Sequence, residues 1–384
     1  MRLAFLLYHY FPYGGLQRDC RCLVEELLHR GHHCRVYCMS WQGETIPGAD
    51  VRRMPATALS QHRRNQRFLT GVRADLAKDP VDGIIGFNTM PDLDIYFAAD
   101  ACYLDICLNE RGRLYRRSAR FRQGVDWERA VFAPDSETQI LLLSASERDK
   151  FAQHYQTPPQ RMHLLPPGVT PDRRAPPDAP ERRKAVRASL GVEPRELVLL
   201  FVSSDFESRG LERAITALAH TREAQPSVTT RLLVVGRDKV RHYRRLAQRL
   251  GVADGVEFLG GRGDVAELML SADVLIHPAR REAAGVVLLE ALAAGLPVIT
   301  TDVCGYAHHV KAARAGILLP SPFSQEQLDR AVMRYMDGVF RAECRNSALL
   351  YARLTDLYSM HRLAVELIEN VLSKKSGVVA GRHS

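Results

Sequence analysis

Short apolar runs alternate with stretches of helical periodicity along most of the chain. Each run spans four to six residues and is followed by glycine, proline or polar residues, a pattern typical of buried strands that end in loops. Strands joined by crossover helices pair in parallel, so the pattern predicts an α/β fold with parallel sheets. The predicted strands are residues 3–8, 34–39, 83–87, 95–99, 139–143, 197–202, 231–236, 256–259, 274–277 and 298–301.

The segment 274–301 carries two glutamates within a predicted strand, loop, helix and strand. Glu282 stands at the start of the helix and Glu290 eight residues later, roughly two turns or about 12 Å along the axis. Ala283, Ala284 and Gly285 would let ligand atoms approach the free N–H groups and the positive end of the helix dipole. The two carboxylates could thus hold opposite ends of one elongated polar ligand. Spacing alone favours a simpler interpretation, a glutamate at a helix start and another on the solvent face.

Glycine and proline mark the first loop and a domain boundary. The first predicted strand leads into Gly14 and Gly15 before a helix at residues 16–30, the first half of a nucleotide-fold unit. The glycines do not form G-x-G-x-x-G, which disfavours NAD binding. A chain of 384 residues suits two domains. Pro166, Pro167 and Gly168, followed by the proline-rich stretch 170–180, predict a boundary at residue 168 and then a linker.

Several segments together resemble a known enzyme family. Glu282 and Glu290, with the A-G-L-P-V-I-T that follows, resemble the E-x7-E motif of retaining nucleotide-sugar glycosyltransferases with the GT-B fold. The segments 6–19, 86–100, 164–169 and 303–308 resemble more narrowly the lipopolysaccharide core glucosyltransferase I family. That family adds the first outer-core hexose to an inner-core heptose. The similarity extends from Met1 to about Leu372.

The resemblance implies two facing Rossmann-like domains with an interdomain cleft. Residues 1–168 would bind the acceptor and residues 169–353 the nucleotide sugar. A helix at 354–372 would cross back onto the first domain, and 373–384 would be a disordered tail. The implied reaction moves a hexose, with glucose favoured, from a UDP-sugar to a lipopolysaccharide inner-core heptose, with retention and with neither a metal nor another cofactor. A transferase using a UDP-N-acetylhexosamine and a sugar-nucleotide epimerase of the same fold remain alternatives.

The same resemblance assigns roles to individual residues. Glu282 would hold the hydroxyls of the donor sugar, and Glu290 those of the ribose. Asp100, at the carboxyl end of an apolar strand, is the candidate proton acceptor for the acceptor hydroxyl, although a turn aspartate explains it equally well. Arginines and helix amino ends would stabilise the diphosphate. The expected donor-binding residues are Gly14, Gly15, Asp19, Arg173, Arg209, Arg262, Ala284, Gly285, Val286, Val287 and Glu290.

The chain departs from the family pattern at three positions. Ser208 and Arg209 occupy a loop where the family has a basic pair, so one guanidinium remains to fork onto two phosphate oxygens. Thr89 and Asp92 stand where lysine and glycine are expected. Asp92 and Asp94 also form the D-x-D string of metal-dependent transferases, which the resemblance places in the acceptor domain, away from the diphosphate.

Composition gives the net charge of the chain and indicates the redox state of its cysteines. A net charge of +9 and a pI near 9.2 indicate a polyanionic partner. Nucleic acid is disfavoured because the arginines are dispersed and no binding motif accompanies them. Eight cysteines without metal-ligand spacing predict reduced, mostly buried thiols. No apolar run is long enough to cross a bilayer.

The most basic segment, 110–129, interleaves arginines with Leu114, Phe121 and Trp127 and predicts a helix on an anionic membrane surface. A solvated basic face that packs its aromatic residues inward is the alternative. The expected location is the cytoplasmic face of the inner membrane of a Gram-negative bacterium. The residues expected to contact the membrane are Arg116, Arg117 and Arg120.

Overall fold

The computed structural model describes residues 1–380 and divides the chain into two compact units. Unit 1 comprises Met1–Pro166 and the chain from Ser359 onward, whereas unit 2 comprises Pro167–Tyr358. Each unit is a parallel sheet flanked by helices, so the predicted class, α/β with two Rossmann-like domains, is confirmed.

Unit 1 is built on seven parallel strands. Its elements are β1 (Arg2–Leu6), β2 (His9–Tyr10), α1 (Gly15–His29), β3 (His33–Cys38), β4 (Ser40–Trp41), β5 (Asp50–Arg53), α2 (Gln61–Lys78), β6 (Gly83–Gly86), β7 (Ile95–Ala98), α3 (Tyr103–Glu110), α4 (Ala119–Phe132), β8 (Gln139–Leu142), α5 (Ala145–Tyr155) and β9 (Met162–Leu164). The strand order is β5-β3-β1-β6-β7-β8-β9, and β2 pairs separately with β4.

Unit 2 is built on six parallel strands. Its elements are α6 (Ala179–Ser189), β10 (Leu197–Val202), α7 (Leu211–Ala224), β11 (Thr230–Val235), α8 (Arg241–Arg249), β12 (Val256–Gly260), α9 (Val265–Ser271), β13 (Val274–His277), α10 (Val286–Ala293), β14 (Val298–Thr301), α11 (Ala307–Ala313), β15 (Gly316–Leu319), α12 (Gln325–Arg334) and α13 (Gly338–Leu354). The strand order is β12-β11-β10-β13-β14-β15.

In each sheet, successive strands are added first on one side of the first strand and then, after one reversal, on the other side. In each, the first strand along the chain lies between later ones, as in Rossmann folds, and ligands of such sheets bind where the loops diverge. The reversal lies between β1 and β6 in unit 1 and between β10 and β13 in unit 2. The central strands are continuous apolar runs because helices cover both of their faces. In β10, for example, five of the six residues are buried.

The last helix belongs to unit 1. Helix α14 (Met360–Ala380) packs against α1, as the resemblance implied for a helix that crosses back. Its predicted start at residue 354 is wrong, because α13 ends at Leu354 and Asp356 then accepts a hydrogen bond from the Tyr358 N–H at 3.0 Å, which forms a turn. The predicted disordered tail is also wrong at 373–380, since α14 continues to Ala380. Residues 381–384 lie outside the described part.

The basic segment 110–129 is not one helix. It holds the end of α3, a turn, a short 3-10 helix at Tyr115–Arg117, and the beginning of α4. Ser118 divides it, because its hydroxyl accepts the Phe121 N–H and caps α4. Within residues 1–380, no helix is both long enough and apolar enough to span a bilayer. The predicted linker 170–180 likewise contains a short 3-10 helix at Pro171–Arg173 and the start of α6.

Candidate active site

The loops that leave β10 and β13 meet at the point where the sheet of unit 2 reverses. They are tied together by main-chain bonds, in which the Arg280 N–H donates to the Ser208 carbonyl at 2.7 Å. The Arg213 guanidinium donates to the carbonyls of Pro278 and Ala279 at 3.0 and 3.1 Å. The site is therefore formed by two loops that are distant in sequence and adjacent in the sheet.

Gly210 permits this close approach. It precedes α7 with φ of +76°, and a Cβ placed there would lie 2.2 Å from the Pro278 carbonyl oxygen. A side chain is excluded both by the left-handed backbone and by the facing carbonyl. The glycine next to Arg209 thus fixes the position of the only basic residue of the expected pair.

Glu282 forms an ion pair with Arg209 inside this site. The same guanidinium donates from Nη1 to the Arg281 carbonyl at 2.8 Å, so it is fixed on two sides. The Glu282 side chain is only 11% exposed. Two residues that the resemblance assigned to the sugar and to the diphosphate are therefore in direct contact.

A second basic group approaches Glu282 from β13. His277 Nε2 lies 3.4 Å from a Glu282 carboxylate oxygen, and the ring is buried. Burial opposes protonation, yet the neighbouring Cys304 and Glu282 outweigh it and raise the pKa of His277 to about 9. Sequence reasoning missed this role, because the histidine ends an apolar run that predicts only a buried strand.

The loop before α10 is held by the loop that follows β14. The Gly305 N–H donates to the Glu282 carbonyl at 3.3 Å, and the Tyr306 N–H donates to the Ala284 carbonyl at 2.7 Å. Gly285 then enters α10 with φ of +85°. The segment 303–308, which carried part of the resemblance, therefore holds the loop between the two glutamates in place.

The amino end of α10 has no side-chain cap. Gly285 is its N-cap, and Val286 and Val287, both half-buried, form its first turn. The uncompensated N–H groups and the helix dipole make this end favourable for a negatively charged or hydroxyl-rich ligand. The small residues Ala283, Ala284 and Gly285 thus directly precede the first turn of α10.

Glu290 lies on the same helix and is buried, with 6% of its side chain exposed. The interpretation that placed it on a solvent face is therefore wrong. Arg173 Nε lies 3.8 Å from its carboxylate, and Arg173 is itself buried. Within the described residues, Nε and Nη1 of Arg173 have no hydrogen-bond acceptor. A buried guanidinium with unused donors is suited to bind an anionic or hydroxyl-bearing ligand.

Arg262 lies apart from these two pairs. It follows the edge strand β12 and forms a bidentate ion pair with Asp264, with 38% of its side chain exposed. Asp264 makes no capping bond to α9. The loop at residues 260–264 nevertheless contains Gly260 with φ of +70°, so its backbone makes a tight turn.

The site residues predicted in unit 1 lie on the loop after β2 and on α1. Gly14 is the N-cap of α1, and the Gln17 amide donates to the His9 carbonyl at 2.9 Å. Asp19 is buried one turn further along and accepts a hydrogen bond from His361 at 2.9 Å. Its carboxylate therefore joins α1 to α14.

Asp100 is exposed just beyond the carboxyl end of β7, where the sequence placed it. Burial and then the Asp100 charge raise the pKa of Tyr8 and of Tyr96, which places the carboxylate beside two phenols. Thr89 donates its hydroxyl to Tyr96 at 3.0 Å. The position fits a group that accepts a proton at the surface of unit 1.

The two aspartates of the D-x-D string have separate roles. Asp92 has a φ of +66° and forms an ion pair with Arg73. Asp94 accepts the Ile84 N–H at 2.8 Å and forms an ion pair with Lys375 of α14. In residues 1–380, no three His, Cys, Asp or Glu side chains are grouped closely enough to hold a metal ion.

Two carboxylates that sequence reasoning did not assign hold the start of α3. Glu128 accepts the N–H groups of Tyr103 and Leu104 at 2.7 and 2.9 Å, and burial raises its pKa. Glu147 accepts the Cys102 N–H at 2.8 Å. The Glu147 N–H also donates to the Ser144 hydroxyl at 3.4 Å, which caps α5, whereas the Glu147 carboxylate holds α3. None of the eight cysteines, which all lie in the described residues, forms a disulfide, and seven of them are buried as the composition predicted.

The segment predicted to contact a membrane presents exposed cations. Arg117 and Arg120 are exposed, and Leu114 between α3 and α4 is 83% exposed. Arg116 is half-buried and donates to the carbonyls of Leu108 and Arg111 at 3.3 and 3.4 Å. Two of the three predicted arginines are therefore accessible, whereas the third stabilises the turn.

Comparison with known proteins places this geometry in a family. Residues 182–349 match the model for glycosyl transferases group 1, and residues 13–173 match that for glycosyltransferase family 4. The chain is 43% identical to the lipopolysaccharide glucosyltransferase WaaG of Escherichia coli K12, over 96% of this chain and 98% of that protein. The crystal structure of WaaG, at 43% identity, matches with a TM-score of 0.93 over 95% and 99% of the two chains. Anabaena Alr3699/HepE in complex with UDP-glucose shares the fold at 18% identity, with a TM-score of 0.75 over 96% and 100%.

Proposed function

This chain belongs to the lipopolysaccharide glucosyltransferase family, and we propose that it transfers glucose from UDP-glucose to a heptose hydroxyl of the inner core. As a member of that family it is a retaining glycosyltransferase of lipopolysaccharide core biosynthesis. The 43% identity to WaaG along nearly the whole of both chains carries the proposal. The choice of donor is further supported by Alr3699/HepE, which has the same fold and was crystallised with UDP-glucose.

Glu282 is proposed to bind the hydroxyls of the transferred glucose. Its carboxylate lies beside the amino end of α10 and forms an ion pair with Arg209. A carboxylate accepts hydrogen bonds from hydroxyl groups strongly, and the ion pair with Arg209 holds this carboxylate in place. Arg209 is then positioned to bind the β-phosphate next to the sugar, so that one pair holds both sides of the bond that breaks.

Glu290 is proposed to accept the ribose hydroxyls. Glu290 lies on α10, whereas Glu282 lies four residues before α10 begins at Val286, so the two carboxylates could bind different ends of one nucleotide sugar. Its burial beside Arg173 supports a role inside a closed site, because a charge held out of water requires a partner. The unused Arg173 donors are available to the diphosphate between the two ends.

The reaction breaks the bond between the anomeric carbon and the β-phosphate oxygen, and forms one to the heptose oxygen. Negative charge grows on the departing diphosphate, and fixed positive groups lower the energy of that state. Arg209, Arg173 and the amino end of α10 are the proposed groups, without a metal ion. The proton of the heptose hydroxyl passes to the departing phosphate oxygen or to Asp100, whose exposed carboxylate supports its assignment to the acceptor side.

The acceptor is a lipid-linked saccharide, so we place the enzyme at the cytoplasmic face of the inner membrane. Arg117 and Arg120, together with the exposed Leu114, supply the charges and the apolar side chain that an anionic surface attracts. This assignment makes membrane contact a property of unit 1.

The proposal is tested by supplying purified enzyme with lipopolysaccharide truncated at the inner-core heptose. Radiolabelled UDP-glucose, UDP-galactose and UDP-N-acetylglucosamine are compared, each with and without acceptor. Label from UDP-glucose that enters the lipid with an α linkage supports the proposal. Preferential transfer of N-acetylglucosamine would replace the donor assignment, and conversion of the donor without acceptor would indicate an epimerase.

A further inference from the structure

A basic cavity lies in unit 2, at the amino edge of its sheet. It has a volume of about 1150 Å³ and is formed by the start of α6, by α13 and by the chain on either side of them. Asp273, which directly precedes β13, and Ala293 and Ala294 at the end of α10 form part of its wall. Glu282 and Gly285 lie beyond the opposite ends of β13 and α10. The cavity is therefore separate from the donor site.

Charge distinguishes this cavity, which we call the arginine pocket. Five arginines and two aspartates line it, a formal excess of three positive charges. The charged residues of its wall are Arg174, Arg183, Arg341, Arg345, Arg353, Asp273 and Asp356.

Two of the arginines hold the wall together. Arg183 donates from Nη1 to the carbonyls of Leu270, Ser271 and Ala272 at the end of α9, and from Nη2 to Asp273 at 2.6 Å. Arg341 donates to the Tyr335 carbonyl. These two guanidiniums and the buried Asp273 therefore stabilise the wall of the pocket.

The other three arginines form no bonds that hold the wall together. Within residues 1–380, the side chains of Arg174, Arg345 and Arg353 donate no hydrogen bond and form no ion pair. Arg174 packs over the Tyr358 ring at 3.7 Å, which leaves its edge donors available. Burial and then the Arg183 charge lower the pKa of Arg345, as expected where positive charge is not compensated. Arg345 is half-buried, whereas Arg174 and Arg353 are exposed to solvent, so three guanidiniums without an acceptor from the described residues line one open cavity.

The charged and apolar side chains of the wall indicate which class of ligand the pocket would bind. Guanidinium forks match the oxygens of a phosphate, and several of them favour a doubly charged group. Pro176, Pro177 and Leu349 give apolar surface that suits the C–H faces of a sugar ring, whereas Thr355 and Asp356 offer oxygens to hydroxyl groups. The volume is at the upper end of that of small-molecule sites. We propose that the arginine pocket binds a phosphate monoester carried on a sugar.

The ligand could be a soluble sugar phosphate or a phosphorylated sugar of the saccharide on which the enzyme acts. Both offer the same chemistry to the three guanidiniums. The proposal itself does not rest on glycosyl transfer, because the pocket shares no wall residue with Glu282 or Arg209. Binding is therefore measured without turnover.

The test is calorimetric titration of the full chain, saturated with UDP to occupy the donor site. The probes are glucose 6-phosphate, glucose, inorganic phosphate, and a delipidated core oligosaccharide before and after phosphatase treatment. We expect saturable binding of glucose 6-phosphate or of the untreated oligosaccharide, and the one that binds identifies the source. Arg345→Ala with Arg353→Ala should weaken it at least tenfold, whereas Arg330→Ala, exposed on α12, should not.

Three outcomes would overturn the proposal. These are the absence of saturable binding by either phosphorylated probe, equal binding to the double alanine variant, and binding of inorganic phosphate as tight as that of the sugar phosphates. Arg345→Lys with Arg353→Lys serves as the folded comparison, because it keeps the charge and removes the forks. An intermediate affinity of the lysine variant is expected if the fork geometry contributes.

Discussion

The guanidinium of Arg209 forms an ion pair with the carboxylate of Glu282, and His277 lies 3.4 Å from the same carboxylate. The candidate donor site of unit 2 thus holds one carboxylate between two basic groups. If the proposed function is correct, charges fixed in this way lower the barrier because they need not move during the reaction.

Arg209→Ala should reduce the rate of glucose transfer by about 100-fold to 1000-fold, the range typical of removing one fixed donor from a developing negative charge. Glu282→Gln should also lower kcat, because the neutral amide accepts sugar hydroxyls less strongly. Arg280→Ala is the matched control in the same loop, as its side chain is 47% exposed and pairs with Glu212 at the surface. Full activity of Arg209→Ala, measured with labelled donor, would contradict the assignment.

Glu290→Gln should weaken donor binding and lower stability together. It removes one of two carboxylates near the buried Arg173, since Asp172 lies 3.5 Å from the same Nε. Breaking a buried ion pair costs about 3–5 kcal/mol when no other group compensates, so the remaining Asp172 and the 3.8 Å separation place the expected loss below that range. UDP affinity by calorimetry and the urea midpoint are the measurements, with the exposed Glu343→Gln as control. Unchanged UDP affinity would exclude Glu290 from the nucleotide site.

The stability of the chain should depend on pH through His277. Its folded-state pKa of about 9 lies above the ordinary value of 6.5. The stabilisation is therefore complete below about pH 6.5 and is lost as the pH rises through about 9. The difference of pKa corresponds to at most about 3 kcal/mol.

Urea unfolding between pH 6 and 9.5 checks this dependence. The free energy of unfolding of His277→Gln should fall less over that interval than that of the unmodified chain. His242→Gln, exposed on α8, should behave like the unmodified chain. Parallel pH profiles for all three proteins would show that His277 does not carry the charge.

Charge reversal at Arg117 and Arg120 should reduce binding to anionic vesicles. Each cation near such a surface contributes about 1 kcal/mol, so loss of two lowers the partition coefficient roughly 30-fold before repulsion is added. Arg116 is left unchanged because its bonds to main-chain carbonyls hold the turn. Reversal of the exposed Arg245 and Arg249 on α8 gives the same change of net charge. Equal loss in both variants would mean that only the overall charge matters.

Gly210→Ala should destabilise unit 2 more than Gly191→Ala. Both glycines have positive φ, so each alanine incurs about 1–2 kcal/mol of backbone strain. A Cβ at Gly191 meets open space, whereas one at Gly210 would lie 2.2 Å from the Pro278 oxygen. The difference between the two urea midpoints isolates the contact between the loops. If the midpoints agree, the contact does not constrain the site.

Much of the fold could be predicted because its central strands are apolar runs bounded by turn residues. Segments with mixed polarity were harder. Helix α2 buries only Phe68, Leu69 and Val72, so its periodicity is hidden among charged residues. The helix predicted across 110–129 failed because charge and spacing do not reveal that Ser118 caps a new helix. Local hydrogen bonds determine where these helices begin and end, and the hydrophobic periodicity of the sequence does not reveal those bonds.

The individual residues of the candidate site were accessible from motif spacing, whereas their partners were not. Glu282 and Glu290 are eight residues apart in one segment, although only Glu290 lies on α10. The contact of Glu282 with Arg209 arises only when β10 and β13 become neighbours in the sheet, whereas His277 ends the strand β13 that leads into the Glu282 loop. Asp19 could not be linked to His361 from sequence either, because that bond requires the last helix to pack against the first.

That packing of α14 on α1 has a consequence for biosynthesis. The ribosome releases β1 to β9 early, yet the helix that covers α1 is translated only after the whole of unit 2. The unit that is translated first must therefore wait for α14 before its surface is complete. A nascent chain interrupted after Tyr358 would hold a finished second unit and an unfinished first one, with the apolar face of α1 open to chaperones.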